Sequence, residues 1–171
     1  MSATEAEQQF EAQIREYEPL LHKVCRMYAY TGADHQDLFQ DIVVQLWQAY
    51  PKFKGEAKFS TWLYRVAINT AISGRRKKKN FVISYEPANL PQDIKEEDGR
   101  AAEEESRFQQ LYKAIEQLDE VERAIVMLYM DERSYEEMEA ILGIRGATLR
   151  VKMNRIKEKL RHLAKATDYG T

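Results

Sequence analysis

Three groups of residues in this chain have the types and spacing to do chemistry at a macromolecular surface. Thr148, Arg150, Val151, Lys152 and Arg155 fall within two turns of one predicted helix. Arginine and lysine bond phosphate oxygens and guanine edges, threonine bonds either, and valine can touch a thymine methyl. From Gly143 to Lys165 there are eight Lys or Arg against one acid, Glu158. Trp62, Arg65, Asn69, Ser73 and Arg76 form a second group, at steps of three to four, with Phe53, Phe59 and Tyr64 close by in sequence. Cations for phosphates, an amide for base edges and rings for unpaired bases suit single-stranded or opening nucleic acid. Each ring taken singly is better read as a core residue. The third group is acidic: Asp34, Asp37 and Asp41, with Gln48 and Val44 on the same edge. Acids in a first helical turn often serve only the helix dipole, which accounts for Asp34 and Asp37 better than for Asp41. Such a strip repels DNA and suits a basic protein surface.

These side chains need helices to hold them. Ser134 with Glu137 three residues on is a capping box, and Gly143 sits where that helix must stop. After a short turn, Leu149, Met153, Ile156, Leu160 and Leu163 make one apolar stripe, so 134–160 reads as a helix-turn-helix with a basic outer face. The bland alternative is a solvated helix packed on a bundle. Upstream, Phe10, Ile14, Tyr17, Leu21 and Val24 predict a helix that Pro19 kinks or interrupts. Asp34 can cap a second helix ending before Pro51. Ser60 can cap a third that continues into the basic run Arg75–Lys79, with Leu63, Ala67, Thr70 and Ala71 on its packing side. Two further helices are expected over about 106–117 and from Asp119 to Met130.

Between residues 80 and 105 the composition changes. Pro87 and Pro91 precede a stretch rich in Asp and Glu with too few apolar residues for a core, which reads as a linker. The FVISY segment at 81–85 is too short and isolated to make a sheet. The expected fold is therefore all-α: two small helical domains, 1–79 and 106–171, joined by a flexible acidic linker, 80–105. A net charge of −2 means that affinity for DNA must come from local patches or a larger partner, not bulk charge. One cysteine, Cys25, excludes an internal disulfide. The N-terminus is acidic and polar, unlike a signal peptide, and no apolar run is long enough for a membrane span, so the expected setting is the cytoplasm without membrane insertion. His22 and Cys25 have a ligand-like spacing, but His35 and His162 are scattered in sequence and no further cluster accompanies them, so neither a metal nor a cofactor is expected.

The segment from Asp37 to Lys77, DLFQDIVVQLWQAYPKFKGEAKFSTWLYRVAINTAISGRRK, resembles region 2 of the bacterial sigma-70 family, most closely its extracytoplasmic-function group. Residues 106–163 resemble region 4 of the same group. The D-L-x-Q-[DE] element, the W-L-Y-R-x-A-x-N-T-A element and a terminal helix-turn-helix occur here in the family's order. The resemblance implies a non-enzymatic initiation factor whose acidic helix binds core RNA polymerase, with Asp37, Gln40 and Asp41 matching the motif and Asp34 upstream. It implies that the loop from Phe53 to Phe59 captures a flipped base of the −10 element. Trp62, Arg65 and Asn69, with Arg76 beyond, then lie near the duplex-to-single-strand junction. It implies that the second half reads the −35 duplex through Arg150, Lys152 and Arg155, with Thr148 and Val151 in the first turns. An anti-sigma factor or another recruiting protein is a further partner the resemblance allows. Gly146 and Ala147 depart from the bulkier residues usual at the start of the recognition helix, and Ser73–Gly74 loosens the end of the third helix. A stand-alone helix-turn-helix regulator with an N-terminal sensing domain would explain residues 106–165 equally well, but not the acidic strip or the Trp62–Asn69 face.

Overall fold

The computed structural model describes residues 2–78 and 99–168; every described element is helical. The chain divides into two compact units, residues 1–91 and 92–171.

The first unit holds α1 (Ala3–Glu16), α2 (Glu18–Tyr28), α3 (Gly32–Ala49) and α4 (Phe59–Lys78), with a single 3-10 turn at Tyr50–Lys52 after α3. Ser2 and Glu5 cap α1 reciprocally, each side chain accepting from the other's backbone N–H. The break between α1 and α2 falls at Tyr17, and Pro19 stands in the first turn of α2, where a missing N–H costs nothing. Proline thus separates two helices here and does not bend one. The core is built by α2, α3 and α4: Leu21, Val24, Ile42, Leu46, Leu63, Tyr64 and Ala67 are all fully buried. Burying a side chain such as leucine or isoleucine stabilises the fold by roughly 1.5–3 kcal/mol.

Two expected caps differ. Thr31, not Asp34, caps α3: its hydroxyl accepts from Asp34 N–H at 2.9 Å, so Asp34 is already inside the helix. Ser60 also lies inside its helix, because α4 begins at Phe59 and Trp62 N–H already reaches the Lys58 carbonyl.

The second unit holds α5 (Gly99–Glu116), α6 (Glu120–Met130), α7 (Tyr135–Leu142) and α8 (Gly146–Asp168). Helix α5 begins inside the acidic stretch assigned to the linker. Too few apolar residues argue against a core, not against a helix, and Ala and Glu are strong helix formers. The FVISY segment and both linker prolines lie outside the described residues. Helix α6 carries an unbroken buried run, Arg123 through Leu128. The Arg123 guanidinium binds the end of α5 and the turn after it, donating to the Glu116 carbonyl at 2.6 Å and the Leu118 carbonyl at 3.2 Å. Asp119 caps α6 through Glu122 N–H at 2.7 Å. Burial pushes its carboxyl up, but the hydrogen bonds from Glu122 and Val121 and the nearby Lys159 charge outweigh that and hold it below the ordinary value.

At the other end of α6, Glu132 takes a left-handed conformation (φ 57°), and Arg133 N–H closes back on the Leu128 carbonyl. Arg133 also meets Asp131 at 3.2 Å and Glu137 at 3.6 Å, which fixes the turn into α7. Ser134 caps α7 through Glu137 N–H, and Gly143 ends it at φ 70°. Leu149, Met153 and Ile156 bury the inner stripe of α8, with Leu160 and Leu163 half-buried beyond.

Candidate nucleic-acid interface

Helix α3 turns Ile42 and Leu46 into the core, which forces the residues on its far side outward. Asp37, Gln40 and Asp41 are exposed, and Asp34 is half-buried in the first turn. Val44 is 50% exposed and Trp47 40% exposed on the same outward side. Large apolar groups exposed beside carboxylates are a composition that fits a protein partner better than solvent alone.

The aromatic residues do not stand apart. Phe53 is 5.6 Å from Phe59 and 5.0 Å from Trp62, and Phe59 is 5.4 Å from Trp62, centre to centre. Tyr17 adds a contact to Phe59 at 5.2 Å, and Tyr50 one to Trp62 at 6.4 Å. Phe10 continues the series to Tyr50 at 5.2 Å and Trp47 at 5.0 Å. Phe53, Phe59 and Trp62 are all half-buried, so each ring is braced on one side and open on the other. The loop between them turns at Gly55, whose φ of 73° favours glycine. Arg65 and Asn69 are exposed on α4, one and two turns beyond Trp62. Tyr64 is fully buried in the core, the place favoured for a ring taken singly, because it sits two residues along the helix and points inward. Arg76 lies within α4; its side chain is outside the described residues.

On α8, Thr148, Arg150, Val151 and Arg155 are exposed away from the Leu149–Met153–Ile156 stripe, and Lys152 is half-buried at its flank. Val151 is 52% exposed, so a methyl-bearing surface is presented outward. Asn154 is exposed on the same side and was not singled out from the sequence. A lone polar residue gives no periodic signal; only the placement of the stripe shows which way it faces. Two basic residues further along are engaged within the unit. Lys157 lies 4.7 Å from the centre of the Tyr129 ring, and Lys159 Nζ is 2.9 Å from both Glu122 carboxylate oxygens. The basic face is therefore divided: Arg155 looks outward, whereas Lys157 and Lys159 tie α8 to α6.

Two histidines that are far apart in sequence meet. His22 Nδ1 is 2.8 Å from His35 Nε2, Glu18 reaches His22 Nε2 at 3.3 Å, and the Phe39 ring stacks on His22 at 4.6 Å. Burial, then the His22 and Arg26 charges, hold His35 below its ordinary pKa. Cys25 does not join them. It is buried, and desolvation pushes its thiol up to about 12, so it is a protonated core residue.

Residues 13–81 match the sequence family Sigma-70 region 2, and residues 108–160 match Sigma-70, region 4. The extracytoplasmic-function sigma-E factor of Escherichia coli (strain K12) is 32% identical over 153 residues, covering 81% of this chain and 79% of that protein. The chain belongs to the sigma-70 family, in its extracytoplasmic-function group. Membership makes it a transcription initiation factor, acting with core RNA polymerase on promoter DNA. A second relative, sigma factor SigW of Bacillus subtilis (strain 168), is 30% identical over 158 residues, covering 85% of this chain and 83% of that one. Two solved structures share the sigma fold. One is CnrH in complex with the cytosolic domain of CnrY, with a TM-score of 0.66 at 21% identity over 94% of this chain and 90% of that one. The other is the sigma factor RpoE in complex with the anti-sigma factor NepR from Bartonella quintana, with a TM-score of 0.70 at 22% identity over 92% and 98%. Region 2 carries the acidic strip and the aromatic group, and region 4 carries the helix-turn-helix. Among the described residues, no helix is long and apolar enough to cross a membrane.

Proposed function

We propose that each half of this sigma factor has a separate task, with residues 1–79 acting on polymerase and the −10 element and residues 106–171 acting on the −35 element. Asp37, Gln40 and Asp41, with Asp34 at the edge, dock a basic surface of core RNA polymerase. The observation that carries this reading is the outward-facing strip on α3, held there by Ile42 and Leu46 on the opposite side. Phe53, Phe59 and Trp62 form a braced platform on which an unpaired base of the −10 element stacks. Arg65, Asn69 and Arg76 follow the strand into the duplex. Binding energy realised only with unpaired bases favours the open state, which is how a protein without catalytic groups assists melting.

In the second unit, α8 enters the major groove of the −35 duplex. Arg150, Lys152 and Arg155 supply charge there, and Thr148 and Val151 contact base edges. The polymerase performs the chemistry, in the cytoplasm, and no cofactor is required of this chain. A protein that masks either surface would silence it, as the presence of an anti-sigma factor with one solved relative suggests. The test is transcription in vitro with core polymerase on a promoter library, with start sites mapped with and without the chain. New start sites sharing two spaced elements are expected. Start sites unchanged by adding the chain would defeat the proposal.

A further inference from the structure

Arg150 leaves α8 one turn after its start and folds back toward α7, its guanidinium carbon 4.9 Å from the centre of the Tyr135 ring. Tyr135 is the first residue of α7, directly after the Ser134 cap, and Glu139 stands one turn along on the same face. Glu139 Oε2 accepts from Gly146 N–H at 3.2 Å, which pins this face of α7 to the beginning of α8. A Cβ built on Gly146 would stand 3.5 Å from that carboxylate oxygen and 3.9 Å from an Arg150 guanidinium nitrogen. A methyl fits at those distances, but a longer side chain would occupy the path Arg150 takes to the ring. Arg155, two turns from the helix start, is exposed and makes no hydrogen bond, ion pair or ring contact among the described residues.

We infer that Tyr135 is a positioning residue for DNA binding, holding the Arg150 guanidinium at the edge of the recognition helix where it meets a phosphate and not a base. The inference rests on the reading of α8 as the duplex-binding helix and says which of its cations does what. A cation over a ring face is attracted to it, and a long side chain fixed before DNA arrives loses less rotamer freedom on binding. In a helix-turn-helix, side chains projecting straight off the second helix reach base edges, while the first helix crosses the DNA backbone. A guanidinium drawn toward the start of α7 lies on the backbone side. The small residue at Gly146, which departs from the family's usual bulk, leaves the passage open.

The test uses holoenzyme assembled from the full chain and core polymerase. Its probes are a promoter duplex recovered from the library and the same duplex with the upstream element scrambled, titrated over a range of KCl. Tyr135→Leu should weaken both duplexes equally, by roughly two- to fivefold, the worth of an exposed cation–π contact. Tyr135→Phe keeps the ring and should bind as the unaltered protein does. In an Arg150→Ala background, Tyr135→Leu should cost nothing more. Gly146→Leu, which blocks the passage and leaves the ring in place, should reproduce the same uniform loss and the same lack of effect without Arg150. Additive losses in the double variants would show that the ring only supports the fold, and would overturn the inference. A loss confined to the recovered duplex would overturn it too, by making Arg150 a base reader. Failure of the unaltered holoenzyme to select any duplex is a different result: it removes the parent reading, and the inference with it.

Discussion

Arg155→Ala offers the most direct measurement on the second unit, because the structure separates the basic residues of α8 into two kinds. Arg155 is exposed and makes no hydrogen bond, ion pair or ring contact among the described residues, whereas Lys159 spends its ammonium on both oxygens of Glu122 at 2.9 Å. A cation that neutralises one phosphate releases condensed counterions and contributes about 0.9 to the slope of log affinity against log salt. Over a fourfold change in salt, one such contact is worth a factor of about 3.5 in affinity. Removing Arg155 should therefore lower the measured slope by about 0.9 and narrow the affinity ratio between roughly 50 and 200 mM salt by that factor. Lys159→Ala should leave the slope where it was and cost at most about 1 kcal/mol of stability, as expected of a surface ion pair. The assay is fluorescence anisotropy of holoenzyme on a promoter duplex at several salt concentrations, with thermal melting of each variant alongside. An unchanged slope in Arg155→Ala, or a fall of similar size in Lys159→Ala, would refute the division of the helix.

Asp41→Arg reverses an exposed charge on α3 and should weaken polymerase binding at least tenfold without changing the melting temperature, measured by competition for core enzyme. Asn69→Ala, exposed on α4, should slow promoter opening more than it weakens closed-complex formation; equal effects on permanganate reactivity and on duplex binding would count against a junction role. Arg123→Leu strips the hydrogen bonds from two carbonyls at the end of α5 and in the turn after it, and should destabilise the second unit by about 3–5 kcal/mol, read as an early unfolding transition in calorimetry. His35 is held below its ordinary pKa, so the native state favours the neutral ring. Its contribution to stability is complete above about pH 6.5 and is lost as pH falls from there toward the lower folded value. His35→Gln should therefore flatten the decline in melting temperature between about pH 7 and 5.

The larger helices were legible because they bury a face. Ile42 and Leu46, or Leu149, Met153 and Ile156, repeat at a spacing that only a helix satisfies, and the acidic and basic strips opposite them follow by geometry. Caps were less legible where two candidates stood close together. Thr31 and Asp34 are both good N-cap residues three apart, and only the extended backbone at Thr31 decides between them. The start of α5 was hidden because acid-rich sequence was equated with linker, although Ala and Glu propagate a helix with no core to pack on. Contacts between elements had no local signature at all. Nothing in the spacing of Tyr135 and Arg150, or of His22 and His35, indicates that a turn brings each pair together. The aromatic residues were found individually, but their mutual bracing, and the recruitment of Tyr17 and Phe10 into the same series, depends on how α1 lies against α3 and α4.

The run of rings from Phe10 to Phe59 includes both tryptophans of the chain, Trp47 and Trp62, and the second unit has neither. Indole emission from this chain thus originates in the first unit alone. One chromophore borders the acidic strip and the other borders the loop assigned to base capture. Replacing either one with phenylalanine leaves the free chain a single built-in reporter, at the strip or at the loop.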